Sequence, residues 1–299
     1  MKIAITGASG LIGSALVVSL KSDGHHVHRL VRTITPAETD AIAWDPNAGT
    51  IDRDALEGLD AVVHLAGESI ASGRWTHEKK RRILDSRVKG TRLLAEALAG
   101  LEAPPRCLIS ASAIGYYGNR ADETLTEDKP PGAGFLPEVC VQWESAAQPA
   151  AARGMRVVFP RIGIVLSSSG GALPRMLPPF QMGVGGKIGS GRQYMSWIDL
   201  DDLIGVIRHA IQTDPLRGPV NAVAPNPVPN EEFTRILGKV LSRPTLFAMP
   251  AFAARIAMGE MADALLLASA RVIPAALERS GYEFRYPQLE ASLRHVLNR

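Results

Sequence analysis

Cysteine is scarce: Cys107 and Cys140 are the two in 299 residues, enough for one bridge at most. That excludes a disulfide framework, and both thiols are expected in the core, reduced. Without a Cys-x-x-Cys or a His-x-x-x-His pair, no metal site is expected. No apolar run approaches the ~18 residues of a membrane span. The start, Met1 to Gly7, falls well short of the ~7 to 15 apolar residues of a signal-peptide core, so a cytoplasmic location is expected. An excess of one charge is missing too, since 33 basic against 30 acidic residues leave a net +3. That balance is too weak and dispersed to be a nucleic-acid footprint. No Gly-x-Ser-x-Gly elbow occurs, which removes an α/β-hydrolase reading. The stretch up to Lys187 only mimics a P-loop, because Gln181 takes the first glycine position and Ile188 the hydroxyl position. What remains is 46% hydrophobic and 21% charged, the balance of a globular chain able to bury a full core.

Proline is also rare at first. Pro36 and Pro46 are alone in the first hundred residues, whereas 17 of the 21 prolines lie between Pro104 and Pro250. The first part should therefore be regular and the middle rich in loops. Short β-prone runs stand at Lys2 to Thr6, His26 to Val31, Asp60 to Leu65, Cys107 to Ser112 and Arg156 to Arg161. Between them, Leu11 to Ser22, Thr76 to Leu98 and Leu136 to Ala152 repeat near 3.6 residues. Strand alternating with helix implies an α/β fold, a doubly wound parallel sheet with helices on both faces. Helical Leu203 to Gln212 leads into a late strand at Pro219 to Ala224. Ser167 to Ile198, rich in glycine, reads as a long loop excursion. Beyond Pro225 come helical Asn230 to Leu241, Phe252 to Ala270 and a short helix opened by Pro274. The expected domains are 1–224, with the excursion 167–198 reaching outward, and a smaller, mainly helical C-terminal lobe at 225–299.

One stretch is densely basic. His77 to Lys89 carries Lys79, Lys80, Arg81, Arg82, Arg87 and Lys89, while Ile83, Leu84, Val88 and Leu94 supply an apolar stripe at helical spacing. It reads as a solvated helix face, with an anion-facing role as the alternative.

The strongest motif is Thr6-Gly7-Ala8-Ser9-Gly10-Leu11-Ile12-Gly13, which follows a strand and opens a helix. Gly7 permits the tight turn, Gly10 lets backbone approach a pyrophosphate, and Gly13 lets helix and strand pack closely. The helix start then favours phosphates. The motif is expected to be a Rossmann-type dinucleotide site, with a tight strand-to-helix turn that holds no ligand as the alternative.

The Gly-x-x-Gly-x-x-Gly spacing resembles the short-chain dehydrogenase/reductase superfamily, particularly its extended, epimerase-like branch. Asp60 to Gly67 resembles the family's fourth-strand motif, which implies that Leu65, Ala66 and Gly67 lie beside the cofactor. Ser110-Ala111-Ser112 ends the next strand, where the family keeps its catalytic serine. Tyr117-Gly118 resembles the downstream tyrosine-glycine pair, and Pro160-Arg161 the turn that holds the nicotinamide side. This resemblance runs from Met1 to about Ala224. Gly73-Arg74-Trp75, Ser86 to Thr91, Gly115 to Gly118 and Trp143-Glu144 are similar to an epimerase-family subgroup with an extra C-terminal domain. Gly189 to Gln193, Ser196-Trp197-Ile198 and the tail through Pro287 extend that similarity. Some members of the subgroup are labelled cell-division inhibitor homologues.

An NAD enzyme would usually end its second strand with a carboxylate for the ribose. Leu30-Val31-Arg32-Thr33 has none, and Arg32 can meet a 2′-phosphate or stand as a solvated strand-end charge. NADP(H) is the expected cofactor, with NAD as the alternative. The resemblance implies cofactor contacts from Thr6, Gly7, Ser9, Gly10, Leu11, Ile12, Gly13, Arg32, Leu65, Ala66, Gly67, Ser110 and Arg161.

The family's Tyr-x-x-x-Lys pair is absent. Aligning Glu144 with the family's usual helix glutamate puts Leu136 and Cys140 at its two positions, and Arg87 where an asparagine is frequent. Ser112 survives, either to hydrogen-bond a substrate oxygen or as a strand-end serine satisfying backbone, and Tyr116 and Tyr117 are the nearest replacement phenols, with packing at the sheet edge as their alternative. With no lysine beside it a phenol keeps its proton at neutral pH, which favours carbonyl reduction over alcohol oxidation. Arg87, Arg192 and Gln193 are candidate substrate contacts, with ordinary loop polarity as the alternative for Arg192 and Gln193. Trp197 is either another or, with Trp75 and Trp143, a core or lobe anchor. The expected function is an NADP(H)-dependent oxidoreductase or epimerase acting on a polar small molecule. The alternative is a nucleotide-binding regulator or scaffold that has lost the chemistry. No nucleic-acid or membrane partner is expected, and a homodimer is left open.

Overall fold

The computed structural model describes residues 1–35 and 39–299. The first half alternates as the periodicity requires: β1 Lys2–Thr6, α1 Leu11–Ser22, β2 His26–Val31, β3 Ala41–Asp45, β4 Thr50–Ile51, β5 Ala61–His64, α2 His77–Ala99, β6 Cys107–Ser110 and β7 Ser112–Ala113. There follow β8 Thr124–Leu125, α3 Phe135–Ala146, α4 Gln148–Ala152, β9 Arg156–Ile162, β10 Ile164–Leu166, α5 Leu173–Gln181, β11 Tyr194–Met195, β12 Trp197–Asp199, α6 Leu200–Gln212 and β13 Gly218–Ala222. The last elements are β14 Val228–Pro229, α7 Asn230–Leu241, α8 Ala251–Met258, β15 Arg271–Val272, α9 Ala275–Arg279 and α10 Leu289–Leu297.

The central sheet runs β13-β9-β6-β5-β1-β2-β3-β4, with β7 also paired to β9. Every pair is parallel except β3 with β4. Both faces are covered, so the central strands are mostly apolar up to their polar carboxyl ends, and all four residues of β5 are buried. Leu16 and Leu20 of α1 and Leu203 and Ile207 of α6 pack on one face with Ile3, Ile5 and Val63. Leu94 and Leu98 of α2 and Ala150 of α4 pack on the other with Ala4, Val62 and Leu108. The chain leaves β1 toward β2 and later returns to β1's other side at β5. That reversal opens a crevice at the carboxyl ends of β1 and β5, where ligands of such sheets bind.

Register lines up two rows of residues, all polar but Leu30, along this edge. Leu30, Thr6, His64 and Ser110 form one row, on adjacent strands. Ser112, Arg161 and Asn221 form the next.

Several elements differ from the sequence expectation. The excursion 167–198 is not all loop, for α5 buries Leu173 and Phe180 and packs Met176 and Leu177 beside them. That spacing is amphipathic, but Pro174, Pro178 and Pro179 obscured it. Proline in the first turn costs no hydrogen bond. The stretch 136–152 is two helices, broken at Ala147 with a proline opening the second. The stretch 252–270 also breaks, at Gly259, whose φ of +61° ends α8. The strands β3 and β4 and the final helix α10 had no sequence counterpart.

The smaller lobe takes its core from separated stretches: Leu173, Phe180 and Trp197 of the excursion, Phe233 and Leu237 of α7, and Leu293 of α10. Residues 271–284 instead return to the main body. β15 pairs with β8, and Leu277, Tyr282 and Phe284 join the α1–α6 face. No helix among the described residues is long and apolar enough to cross a membrane.

Candidate functional site

The β1 side of the crevice is shaped by missing side chains. Gly7 has φ +68°, and a Cβ there would lie 2.9 Å from the Ala66 nitrogen. A Cβ on Gly13 would come within 2.2 Å of the Gly7 carbonyl oxygen. Only glycine lets loop, helix and β5 exit meet so closely. Gly10 differs: the sole neighbour of a Cβ would be the Gly7 oxygen at 3.3 Å, and the residue is exposed. As N-cap of α1, Gly10 supplies no capping side chain, and the first turn holds no acid. The leading N–H groups and the positive helix end are thus left for a phosphate, so these residues fit a dinucleotide.

The other candidates on this side divide by what occupies them. Ser9 and Gly67 are exposed, Arg32 is exposed where β2 ends, and Leu65 and Ala66 form the β5 exit. The Leu11 side chain is covered by Gly170 and Gly171, and Ile12 packs on the α1–α6 face, so what these two offer a ligand is main chain. Thr6 is fully buried and its hydroxyl is engaged: Oγ1 accepts from the Leu65 and Ala66 nitrogens at 3.1 and 3.2 Å. With both lone pairs used, the hydroxyl proton goes to Nδ1 of His64 at 2.7 Å. Thr6 therefore ties β1 to the β5 exit rather than touching a ligand. Burial, with the Arg87 charge second, lowers the His64 pKa to about 4 and keeps the ring neutral. Ser110 is buried as well.

The β9 side is filled. Arg161, 3% exposed, pairs through Nε and Nη2 with both carboxylate oxygens of Glu144, each at 2.9 Å. Its Nη1 donates to the Tyr117 hydroxyl at 3.0 Å. Burial opposes the Arg161 charge, but the hydrogen bonds and charge of Glu144 outweigh it and raise the pKa. Ser112 donates to the same Glu144 carboxylate at 2.7 Å. Tyr117 is fully buried, and its hydroxyl donates to Asn221 Oδ1 at 2.7 Å. Burial pushes its pKa up to about 12. Arg161, expected at the cofactor, and Tyr117, expected in catalysis, are thus core supports, because each has spent its polar atoms on the other and on Glu144 or Asn221. Tyr116 contrasts with them. It is half-buried, its ring lies 3.4 Å from the Arg161 guanidinium carbon, and no hydrogen bond engages its hydroxyl among the described residues.

Sequence reasoning left out Glu144 and Asn221 as site residues. Each had a signal. Glu144 is one helical turn beyond buried Cys140, on the inward face of α3, and Asn221 is polar inside the apolar strand β13. Cys140 is no substitute base, since burial and the Glu144 charge push its thiol up to about 12.

The substrate candidates also separate. Trp197 is fully buried in the lobe core and donates to the Asn226 carbonyl at 3.1 Å. Gln193 is buried too, and donates to the carbonyls of Ile188 and Leu266. Both are lobe supports, because apolar packing in one case and loop carbonyls in the other claim them. Arg192 is exposed on the excursion. Arg87 lies in the crevice, against Gly67 and 4.9 Å from the Trp143 ring. The lobe is held across the β5–α2 loop, where Arg74 donates to the Ile256 carbonyl at 2.7 Å and Arg175 to that of Ala71 at 2.6 Å.

A model of the NAD dependent epimerase/dehydratase family matches residues 3–222, and one of a domain of unknown function (DUF1731) matches residues 249–296. Epimerase family protein Mb2239 of Mycobacterium bovis is 46% identical over 297 residues, covering 99% of this chain and 98% of that protein. The crystal structure of human epimerase family protein SDR39U1 with NADPH superposes with a TM-score of 0.92 at 33% identity, covering 100% of this chain and 99% of that chain. The nucleoside-diphosphate sugar epimerase from Corynebacterium glutamicum gives a TM-score of 0.83 at 41% identity, covering 99% of this chain and 58% of that chain. These likenesses bear out the resemblance read from the sequence, including the extra C-terminal segment. With a glycine loop at the switch point of a doubly wound sheet and a family match running from residue 3 to residue 222, the chain belongs to the NAD dependent epimerase/dehydratase family.

Proposed function

We propose that this protein is an NADP(H)-dependent oxidoreductase that reduces a carbonyl on a polar small molecule, with Tyr116 as its proton donor. Coenzyme binding is supported by the glycine cradle and the uncapped start of α1. NADP is favoured by the absence of an acid after β2 and by exposed Arg32, and by the NADPH in the SDR39U1 structure. Ser9 and the N–H groups of Gly10 to Gly13 would take the pyrophosphate, Arg32 the 2′-phosphate, and the Leu65–Gly67 exit the wall beside them. When bound, the coenzyme supplies a hydride.

The observation that carries the catalytic reading is the free hydroxyl of Tyr116. Its ring rests on Arg161, which the Glu144 ion pair and Tyr117 hold in one orientation. A cation against the ring face steadies the phenol as its proton leaves for the substrate oxygen. Ser112 acts here through Glu144, as a positioning residue. An equally specific observation favours the regulator reading: the Ser112 hydroxyl donates to Glu144 instead of standing free.

The test is NADPH oxidation followed by absorbance across a panel of carbonyl substrates, on the wild type and on Tyr116→Phe. Turnover lost about 10²- to 10⁴-fold in Tyr116→Phe is the expected result. NADPH binding without turnover on any substrate would favour the regulator, and unchanged turnover in Tyr116→Phe would remove Tyr116 from the reaction.

A further inference from the structure

Among the described residues, Arg161, Arg156 and Arg87 reach inward, and the first two have acceptors at both Nη groups. Arg161 has the Glu144 carboxylate, and Arg156 donates to the carbonyls of Ala210, Ile211 and Leu216 around the end of α6. Arg87 is answered on one side alone. Its Nη1 donates to the carbonyls of Glu68 and Ile83, at 2.9 and 3.2 Å. Nε and Nη2 have no acceptor, and no carboxylate forms an ion pair with Arg87, among the described residues. Asp85, the nearest acid in sequence, pairs with Lys89, and the Glu68 carboxylate is taken by Lys79 at 2.5 Å. Burial holds the Arg87 pKa below its ordinary value.

Two packing contacts fix where the guanidinium stands. The group lies on Gly67, where a Cβ would come within 3.3 to 3.5 Å of it, and Gly67 is the exposed end of the β5 exit. On its other side is Trp143. The guanidinium is held by a glycine and an indole with one edge unused and open to solvent, where a ligand oxyanion can reach it. The Nε–Nη2 edge of arginine matches two oxygens of a carboxylate side-on.

We propose that Arg87 is the specificity residue of this crevice, binding a carboxylate of the substrate through its Nε–Nη2 edge beside the coenzyme. This rests on the reading of the crevice as a coenzyme and carbonyl-substrate site, and gives that substrate its class: a carboxylate-bearing carbonyl compound. A coenzyme phosphate is the other oxyanion that could reach this edge.

Calorimetric titration of oxalate into the full chain, with and without saturating NADPH, separates these cases. Oxalate should bind the wild type saturably. Arg87→Gln should weaken oxalate about 10- to 100-fold, the worth of a charge-assisted hydrogen bond. Arg87→Lys should recover part of it, and NADPH affinity should stay unchanged in both variants. NADPH weakened as much as oxalate would assign Arg87 to the coenzyme and overturn the proposal. Oxalate binding that is absent from the wild type, or unchanged in Arg87→Gln, would overturn it too. If NADPH itself fails to bind, the coenzyme reading falls while the titration without NADPH still decides the role of Arg87.

Discussion

The two sides of the strand-end crevice treat their polar groups in opposite ways. On the β1 side, Gly7, Gly10 and Gly13 make space, and the N–H groups of α1 are left without a side-chain cap. On the β9 side, Ser112, Glu144, Arg161, Tyr117 and Asn221 satisfy one another. A surface made by omission depends on its ligand to complete it, whereas a cluster that completes itself contributes rigidity. Grip on a coenzyme and the chemistry done with it can therefore diverge, because they rest on different residues. Tyr116 and Arg87 stand at the boundary, Tyr116 against Arg161 and Arg87 against Gly67 and Trp143, each with one group still unused.

The largest effect should come from breaking the filled side. Glu144→Ala strands Arg161 in the core without its counter-charge, which costs about 3–5 kcal/mol. Urea unfolding should show the loss, with Glu144→Gln intermediate. A change of less than about 1 kcal/mol would mean that the pair behaves like a surface ion pair and supports nothing.

His64, where the two sides meet, sets the next effect. Its folded pKa is about 4, against 6.5 for the free side chain. The unfolded chain takes up a proton that the folded one refuses, so stability is full above pH 6.5 and falls as the pH drops toward 4. The loss across that window is about 3 kcal/mol. His64→Asn should flatten the dependence in urea melts at stepped pH, and an equally steep curve in the variant would assign the titration to another group.

A smaller effect belongs to the open side. Arg32→Asp should lower the preference for NADPH over NADH by about 10- to 100-fold, read as paired thermal shifts at equal ligand concentration. A preference unmoved by the substitution would make Arg32 a solvated strand-end charge.

The open side was legible in the sequence and the filled side was not, for a physical reason. A strand, a glycine-spaced turn and a helix are contiguous, so Lys2 to Ser22 carries its whole geometry within one stretch. The ion-pair cluster joins β7, α3, β9 and β13, and only folding brings Ser112, Glu144, Arg161 and Asn221 together. The basic stretch His77 to Lys89 shows both cases. Its helix and its solvated face were readable, as in the Arg82–Glu78 and Lys89–Asp85 pairs at helical spacing. The pairing of Lys80 with distant Glu260 was not, nor was the burial of Lys79 beside Glu68. Tyr117 and Trp197 could be named as candidates, but which of their neighbours would cover them depends on β8, β15 and the lobe core.

The central claim is that the open side is the coenzyme's seat. Calorimetric titration of NADPH into the wild type and into Gly10→Val tests it most directly, since the valine would fill the one exposed opening in the glycine loop without striking more than the Gly7 oxygen. Saturable binding by the wild type and none by a Gly10→Val protein with an unchanged circular dichroism spectrum is the predicted result. Equal binding by both, with both folded, would contradict the account.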